Sequence, residues 1–285
     1  MTTDTRFWPI DKIILAYFVI TGLVILGWWN HLPNAALMFA WHVAGSAVIV
    51  YQVKRPNRTT WLFRNWYPLP YVGYFYKEMA VLIPSVRHSD ADRWLASLDF
   101  RVWHENPCIW LERLQTPAFV EFEQIVYTLF IPAVIWVAIL LWKKGKFVEF
   151  QYYAFLIALG YMISYIGYIL VPARGPRILL NNLQHMPLRG LWLFRSMQHT
   201  LDNLESFHYD CFPSGHTELT LLACWGSRMV SKRWFRVYFA YTPFLIFATV
   251  YLRYHYTVDL LAGALTAFVL MLASPAIYKK LSRGA

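Results

Sequence analysis

Long apolar stretches separated by short polar segments dominate this chain. Seven of them approach the roughly 20 residues with which a helix crosses the ~30 Å hydrocarbon core of a bilayer. They are Ile13–Trp29, Ala35–Val53, Gln124–Trp142, Phe150–Val171, Ser214–Val230, Val237–Leu252 and Val258–Tyr278. The pattern therefore predicts an all-α fold, a multi-pass bundle of transmembrane helices.

An eighth candidate span, Pro68–Val86, is weaker because it carries Lys77 and Glu78. The positive-inside rule places basic clusters in cytoplasmic loops. All of them can lie on that side only if Pro68–Val86 crosses, which gives eight spans with both ends of the chain inside. The alternative is a short interfacial or re-entrant helix, so we expect about six to eight spans. The basic clusters lie at Lys54–Arg64, Lys143–Lys146, Arg228–Arg236 and Lys279–Arg283.

Composition agrees with a membrane protein, because 58% of the residues are apolar and only 15% are charged. Soluble domains carry about 25% charged residues. The 14 Trp, 19 Tyr and 20 Phe suit the two membrane interfaces, where aromatic rings are enriched. A soluble enzyme, a disordered chain and a disulfide scaffold are thereby excluded. The net charge of +10 is accounted for by the loop clusters, so we expect no nucleic-acid partner.

The polar segments suggest how the chain is organised. Asp90–Leu114 spaces apolar and aromatic residues at roughly helical intervals among charges, which is typical of a helix lying in the outer interface. We divide the chain into N-terminal membrane helices with this interfacial helix, residues 1–118, and a catalytic helical core, residues 119–285. The first apolar stretch lacks the basic segment and cleavage site of a signal peptide and is expected to be retained.

Three polar patterns fall on the outer face in this topology. They are Pro-Ala-Arg-Gly-Pro-Arg at 172–177, Asp-Cys-Phe-Pro-Ser-Gly-His-Thr at 210–217, and Tyr-Leu-Arg-Tyr-His-Tyr-Thr-Val-Asp at 251–259. In the second, Ser214 is a good N-cap and Gly215 would allow an anion close to the backbone. The free N–H groups of a helix N-terminus bind phosphate, and His216 lies within reach of it. The alternative is an ordinary capped helix.

The other two patterns supply a base and cations. His255 and Asp259 are four residues apart, which on a helix puts them on one face, where the carboxylate can accept the Nδ1–H and leave Nε2 free to attack. The alternative is a buried polar pair that joins helices. Arg174 and Arg177 present planar donor forks suited to phosphoryl oxygens, or else they are snorkelling arginines. No carboxylate cluster for Mg²⁺ is apparent, so we expect neither a metal nor a cofactor.

At these residues the sequence resembles the type 2 phosphatidic acid phosphatase (PAP2) superfamily, whose signature is K-x6-R-P, P-S-G-H and S-R-x5-H-x3-D. Pro213 to His216 match the second block, and His255 with Asp259 match the end of the third. The resemblance implies a helical membrane core, a phosphohistidine formed on His255, orientation of that ring by Asp259, and His216 as general acid. It implies that no metal is needed.

Two cations of that signature are absent here. Gly167 stands where the first block has Lys, and Ala248 and Thr249 stand where the third has Ser-Arg. We predict that Arg253, one helical turn after Thr249 on the same face, replaces the missing Arg, and that Arg177 supplements Arg174. The predicted phosphate-binding set is Arg174, Arg177, Ser214, Gly215 and Arg253. The 172–177 block and the segment that begins at Asp92 look similar to the inositolphosphotransferase-like branch, and 214–217 and 255–259 to sphingomyelin synthases.

Three functions remain open at this point. The first is a phosphatase that hydrolyses a lipid phosphomonoester or pyrophosphate at the outer, non-cytoplasmic face of a cell (plasma or inner) membrane. The second is a lipid phosphotransferase, in which a lipid hydroxyl replaces water. The third is a non-catalytic lipid-binding or transport protein, which the missing cations favour and the complete set of His216, His255 and Asp259 disfavours.

Overall fold

The computed structural model describes residues 5–205 and 209–283, and the regular secondary structure of these residues is helical. An isolated parallel bridge pairs Ala173 with Asp210. The all-α prediction is confirmed. The helices are α1 (Pro9–Gly27), α2 (Ala35–Lys54), α3 (Arg58–Trp66), α4 (Pro68–Val86), α5 (Asp92–Trp103), α6 (Pro107–Trp110), α7 (Pro117–Thr128), α8 (Phe130–Lys143), α9 (Phe147–Leu170), α10 (Pro176–Leu179), α11 (Phe194–Glu205), α12 (Gly215–Val230), α13 (Lys232–Tyr251) and α14 (Thr257–Arg283).

A helix lies at each predicted span. Within the described residues, α1, α2, α9 and α14 are long and apolar enough to cross a membrane, and α7 with α8 make a fifth if the bent pair is one span. Helices α4, α12 and α13 do not meet that test. Two of them carry buried carboxylates, Glu78 in α4 and Glu218 in α12. Such residues lower the hydropathy of a helix while facing the inside of the bundle.

The stretch Gln124–Trp142, predicted as one straight span, is two helices. Helices α7 and α8 meet at an angle of 44°. Pro132 has no N–H to donate to the carbonyl of Thr128, and its ring crowds that carbonyl. The Thr128 hydroxyl donates instead to the Gln124 carbonyl at 2.7 Å, a contact that bends helices. The break turns Tyr127 and Phe130 toward the site described below.

Helix α9 is the centre of the bundle and packs against α1, α4, α8, α12 and α14. Its contact with α12 is close, since a Cβ on Gly160 would lie 2.9 Å from Leu222 Cδ1. Buried aromatic and aliphatic side chains fill both sides of α9, including Phe155 and Tyr165 on one side and Tyr153 and Leu156 on the other. The residues at its C-terminal end therefore have a firm support.

The basic clusters lie together at one end of the bundle. Lys12 at the start of α1 donates to the Leu281 carbonyl near the end of α14 at 2.6 Å. Arg64 pairs with Asp11 at 2.5 Å, and Lys146 donates to the Met229 carbonyl at 2.7 Å. The segments 172–177, 210–217 and 251–259 lie at the other end, where α9 ends, α12 begins and α13 joins α14.

Helix α5 lies within the segment predicted to be interfacial. Trp94, Phe100 and Trp103 are more than half exposed, as expected for side chains that face lipid headgroups. On its other face, Asp99 accepts from the Thr257 N–H at 2.8 Å and the Val258 N–H at 3.0 Å. This carboxylate caps α14 and complements its helix dipole.

Candidate active site

Two histidines meet at the centre of the site. Nδ1 of His216 lies 3.2 Å from Nε2 of His255, and His255 is only 2% exposed. The ring of His216 lies against Tyr127, at 4.8 Å between centroids, and against Phe130, at 4.5 Å. The residues on either side of the α7–α8 break therefore hold His216 in place. Tyr254 stacks on the same Tyr127 ring at 4.4 Å.

Asp259 lies behind His255. Its Oδ2 is 3.5 Å from Nδ1 of His255 and accepts from the Cys211 thiol at 2.7 Å and the Tyr256 N–H at 2.9 Å. Because Nδ1 faces a carboxylate, the N–H tautomer at Nδ1 is favoured, and Nε2 keeps its lone pair. Nε2 is the nitrogen directed toward His216.

We had expected His255 and Asp259 to lie on one helix. In the structure, they meet across the turn between α13 and α14. Helix α13 ends at Tyr251, and α14 begins at Thr257. The N–H groups of Tyr254 and His255 both donate to the Thr249 carbonyl, at 2.9 and 3.1 Å. The spacing of four residues still brings the side chains together, because Asp259 lies in the first turn of α14 and points back over the preceding loop.

Arg253 is not in the pocket, because the helix on which we had placed it ends before it. It has a left-handed backbone, φ 69°, which costs a residue with a side chain about 1–2 kcal/mol. Its guanidinium is buried and pairs with Glu112 at 2.9 Å, with further bonds to Gln184 Oε1 and the Met186 carbonyl, both at 2.6 Å. Burial lowers the pKa of Arg253 and the Glu112 carboxylate opposes that shift. The structure thus joins Arg253 to Glu112 and to the 184–186 loop.

Arg174 and Arg177 do reach the site. They line a polar pocket of about 320 Å³ together with both histidines. Arg174 donates to the Tyr209 hydroxyl at 2.8 Å, a bond that raises the pKa of Arg174. Arg177 binds Asp202 of α11 through two hydrogen bonds, at 2.8 and 3.1 Å. An anion entering this pocket would meet two guanidinium groups, and also the carboxylates of Asp202 and Asp210, which line the pocket too.

Ser214 is the N-cap of α12, and its hydroxyl accepts from the Thr217 N–H at 3.2 Å. We had expected Gly215 to leave room for an anion near the backbone, and in the structure it leaves room for the Tyr168 side chain. A Cβ there would lie 2.5 Å from the Tyr168 hydroxyl oxygen, so this glycine admits a tyrosine of α9. His216 lies in the first turn of α12, beside the free N–H groups at the N-terminus of that helix.

The positions of the two missing cations are packed. A Cβ on Gly167 would lie 2.3 Å from Pro213 Cδ, so no lysine side chain could leave α9 at this point. Thr249 and Ala248 are fully buried, and the Thr249 hydroxyl donates to the Ile246 carbonyl at 2.7 Å. The chain has therefore filled both positions with packing contacts.

Sequence reasoning gave no role in the site to two residues. The Asp92 carboxylate accepts from the Arg174 N–H at 2.7 Å, the Gly175 N–H at 2.8 Å and the Tyr256 hydroxyl at 2.9 Å. Burial raises the pKa of Asp92, and these donors oppose the shift. Cys211 is the other, and burial followed by the Asp259 charge raises the pKa of its thiol. An acidic residue within an otherwise interfacial helix was the available signal for Asp92.

Within residues 5–205 and 209–283, Cys211, His255 and Asp259 form a group that could hold a metal ion, since their ligand atoms lie within 4.8 Å of one another. All three are buried. An ion there would take Nδ1 of His255 and the carboxylate oxygen that the thiol and the Tyr256 N–H now share. The same three groups can therefore either orient the His255 ring through hydrogen bonds or bind a cation.

Comparison with known proteins agrees with this geometry. The sequence model of the PAP2 superfamily matches residues 90–273, which is more than half of the chain and includes every site residue described above. The chain belongs to the PAP2 superfamily. No curated protein and no solved structure matches it significantly. The PAP2 fold is a helical membrane fold, and its members are generally phosphatases that act on lipid substrates.

Proposed function

We propose that this PAP2 protein hydrolyses a lipid phosphomonoester or pyrophosphate through a phosphohistidine on His255. The observation that carries the proposal is the His216–His255 contact at 3.2 Å in a pocket that also holds Arg174 and Arg177. Asp259 behind His255 supports a nucleophilic Nε2. A helix-joining polar pair would not require a second histidine and two arginines on its open side.

The first half of the reaction forms the covalent intermediate. The phosphoryl group enters between the two facing ring nitrogens, so substrate binding separates the rings. Nε2 of His255 attacks phosphorus, and the bond from phosphorus to the lipid oxygen breaks. His216, protonated once the anionic substrate is bound, gives its proton to that oxygen. The charge that develops on the His255 ring is balanced by Asp259.

The second half releases phosphate. Water attacks phosphorus, the bond from phosphorus to Nε2 breaks, and the proton of the water passes to His216. Arg174, Arg177 and the first N–H groups of α12 would stabilise the negative charge on the phosphoryl oxygens in both halves. For Arg177 this means sharing or exchanging its partner Asp202. We assign Arg253 no part in these steps.

The basic clusters support a proposal for the side of the membrane that the site faces. They lie at the end of the bundle away from the histidines, where Lys146 contacts Met229 beside Arg228, and the positive-inside rule would assign that end to the cytoplasm. We therefore propose a site that faces the non-cytoplasmic side of the membrane.

A lipid phosphotransferase would share the first half-reaction and differ in the acceptor. The test is incubation of the purified protein with mixed phospholipids and phosphorylated lipids, with free phosphate and new lipids measured by mass spectrometry. Hydrolysis predicts free phosphate that depends on His255 and no new phospholipid. New phospholipid without free phosphate would establish transfer, and neither product would favour a lipid-binding protein.

A further inference from the structure

An apolar groove leads away from the histidines into the bundle. Helix α9 is its floor, and α4 and α8 are its two walls. Its volume is about 380 Å³, within the range of sites that bind small molecules. Residues of the floor and walls include Ala154, Ala158, Val72, Gly73 and Ile135.

Two buried tyrosines of the floor hold the walls in place. The Tyr165 hydroxyl donates to the Val72 carbonyl of α4 at 3.1 Å, and the Tyr153 hydroxyl donates to the Val134 carbonyl of α8 at 2.8 Å. Their polar ends are thereby satisfied, and their rings face the groove. The groove is formed by the packing of the helices before any ligand is bound.

The groove and the polar pocket meet at the catalytic residues. Tyr127, Asp210 and His216 line both. One end of the combined cavity thus presents two arginines, and the walls of the other end along α9 are mostly apolar, although Asn65, Lys77 and Thr128 also line them. A molecule that fills both ends must carry a phosphate on an extended hydrocarbon.

The length of the floor sets the length of that hydrocarbon. Residues Phe150 to Tyr168 of α9 line the groove, and 18 residues of rise span about 27 Å. That is close to the ~30 Å depth of the hydrocarbon core. A chain lying along it would pass the middle of the bilayer.

Resting on the proposed function, we propose that the groove holds one extended hydrocarbon chain of the lipid phosphate, clamped between α4 and α8. Helix α4 lies outside the residues 90–273 that the PAP2 model matches. This wall therefore comes from the chain's own N-terminal region. We infer that α4 makes the enzyme selective for long-chain substrates.

Ala154 offers a test, because it lies in the floor 14 residues, about 21 Å, from Tyr168. A phenylalanine at this position would fill the far part of the groove. Octadecyl phosphate and hexyl phosphate, presented in the same detergent micelles, would serve as substrates, since the shorter chain cannot reach Ala154. For Ala154→Phe we expect kcat/KM for octadecyl phosphate to fall about tenfold and kcat/KM for hexyl phosphate to stay unchanged.

Ala240→Phe is the matched control, because Ala240 is exposed on the lipid-facing side of α13. It should leave the ratio of the two kcat/KM values as in the wild type. An equal change for both substrates in Ala154→Phe, or no change for either, would overturn the groove as the chain site. Failure of the wild type to hydrolyse either compound would count against the proposed function instead.

A second measurement keeps the groove testable without turnover. Octadecyl phosphate with a terminal diazirine would be photolysed in the presence of His255→Ala protein, and the labelled peptides identified by mass spectrometry. We expect label in residues 65–69 at the α3–α4 junction and in residues 134–138 of α8, which line the part of the groove away from His216. Label confined to outward-facing positions such as Leu261 and Leu265 of α14, which are more than 60% exposed, would refute the proposal.

Discussion

Removal of the Asp92 carboxylate should disable the site without touching either histidine. This side chain is 2% exposed and is the acceptor for the backbone of Arg174 and Gly175 and for the Tyr256 hydroxyl. It thus ties α5 to the loop that carries Arg174 and Arg177 and to the turn that carries His255. Without it, both loops lose a shared anchor.

The size of the effect follows from the donors left behind. A buried donor without an acceptor costs about 1–3 kcal/mol. Asp92→Ala leaves three donors without their acceptor, and one of them is only partly buried. We therefore expect the free energy of unfolding to fall by roughly 3–5 kcal/mol. In Asp92→Asn the amide oxygen can still serve Gly175 and Tyr256, while the NH₂ group opposes the Arg174 N–H. One lost bond should cost about 1–3 kcal/mol.

The assay is denaturation of the purified protein in detergent, with phosphate release from a lipid phosphate measured in parallel. Stability and the rate of phosphate release should both be highest in Glu105→Ala, lower in Asp92→Asn and lowest in Asp92→Ala. Glu105 is the control because it is an exposed acid just beyond α5, and such surface changes stay within about 0.5 kcal/mol. If Asp92→Ala matched Glu105→Ala in stability and activity, the three hydrogen bonds would not hold the site and our reasoning would fail.

Further predictions concern the chemistry and its support. His255→Ala should abolish phosphate release and His216→Ala should lower it at least about a hundredfold, in line with general acid catalysis; rates near wild type in folded protein would remove the assigned roles. EDTA should leave activity unchanged and vanadate should inhibit, whereas activity restored only by added Mg²⁺ would show a metal requirement. Arg253→Ala should destabilise the fold by about 3–5 kcal/mol, because it removes the buried cation that pairs with the Glu112 carboxylate, while Arg189→Ala in the segment 172–213 should not; equal melting curves would contradict this. Cys211→Val removes a donor to the Asp259 carboxylate and should shift the pH profile of kcat, and Cys211→Ser should restore it; two unchanged profiles would leave the thiol without a positioning role.

The helices and the meeting of the motifs could be predicted because both depend on local pattern. Apolar runs fix where helices lie, and the basic clusters fix which ends of the helices are together. The blocks around Ser214 and His255 follow directly from those helix ends. The order and direction of the predicted spans were enough to predict that these blocks lie at the same level of the bundle.

Features that depend on distant partners could not be predicted in this way. The apolar pattern of α13 runs up to Leu252, and nothing local marks the left-handed residue that follows. Arg253 adopts this backbone while its side chain binds Glu112, 141 residues earlier. Sequence spacing placed the guanidinium one turn along a helix, and a single non-helical residue redirects it to another partner.

Carboxylates from residues 92–121 explain why the site needs more than its membrane helices. Outside α10, α11 and one turn of 3-10 helix, the segment 172–213 is irregular where the structure describes it, and buried backbone N–H groups there need acceptors. Asp92 accepts from Arg174 and Gly175, Glu112 accepts from the His185 N–H at 3.2 Å, and Glu121 accepts from the Leu191 and Leu193 N–H groups at 2.8 and 2.6 Å. Each of these acids precedes α9 in the chain and is joined to a loop that follows it. The polar pocket, although it is built on irregular backbone, is thereby kept rigid, since Arg174 and Arg177 extend from a main chain whose hydrogen bonds are already made. The start of the PAP2 match at residue 90 agrees with this dependence, because the match begins where the first of these acceptors enters the structure.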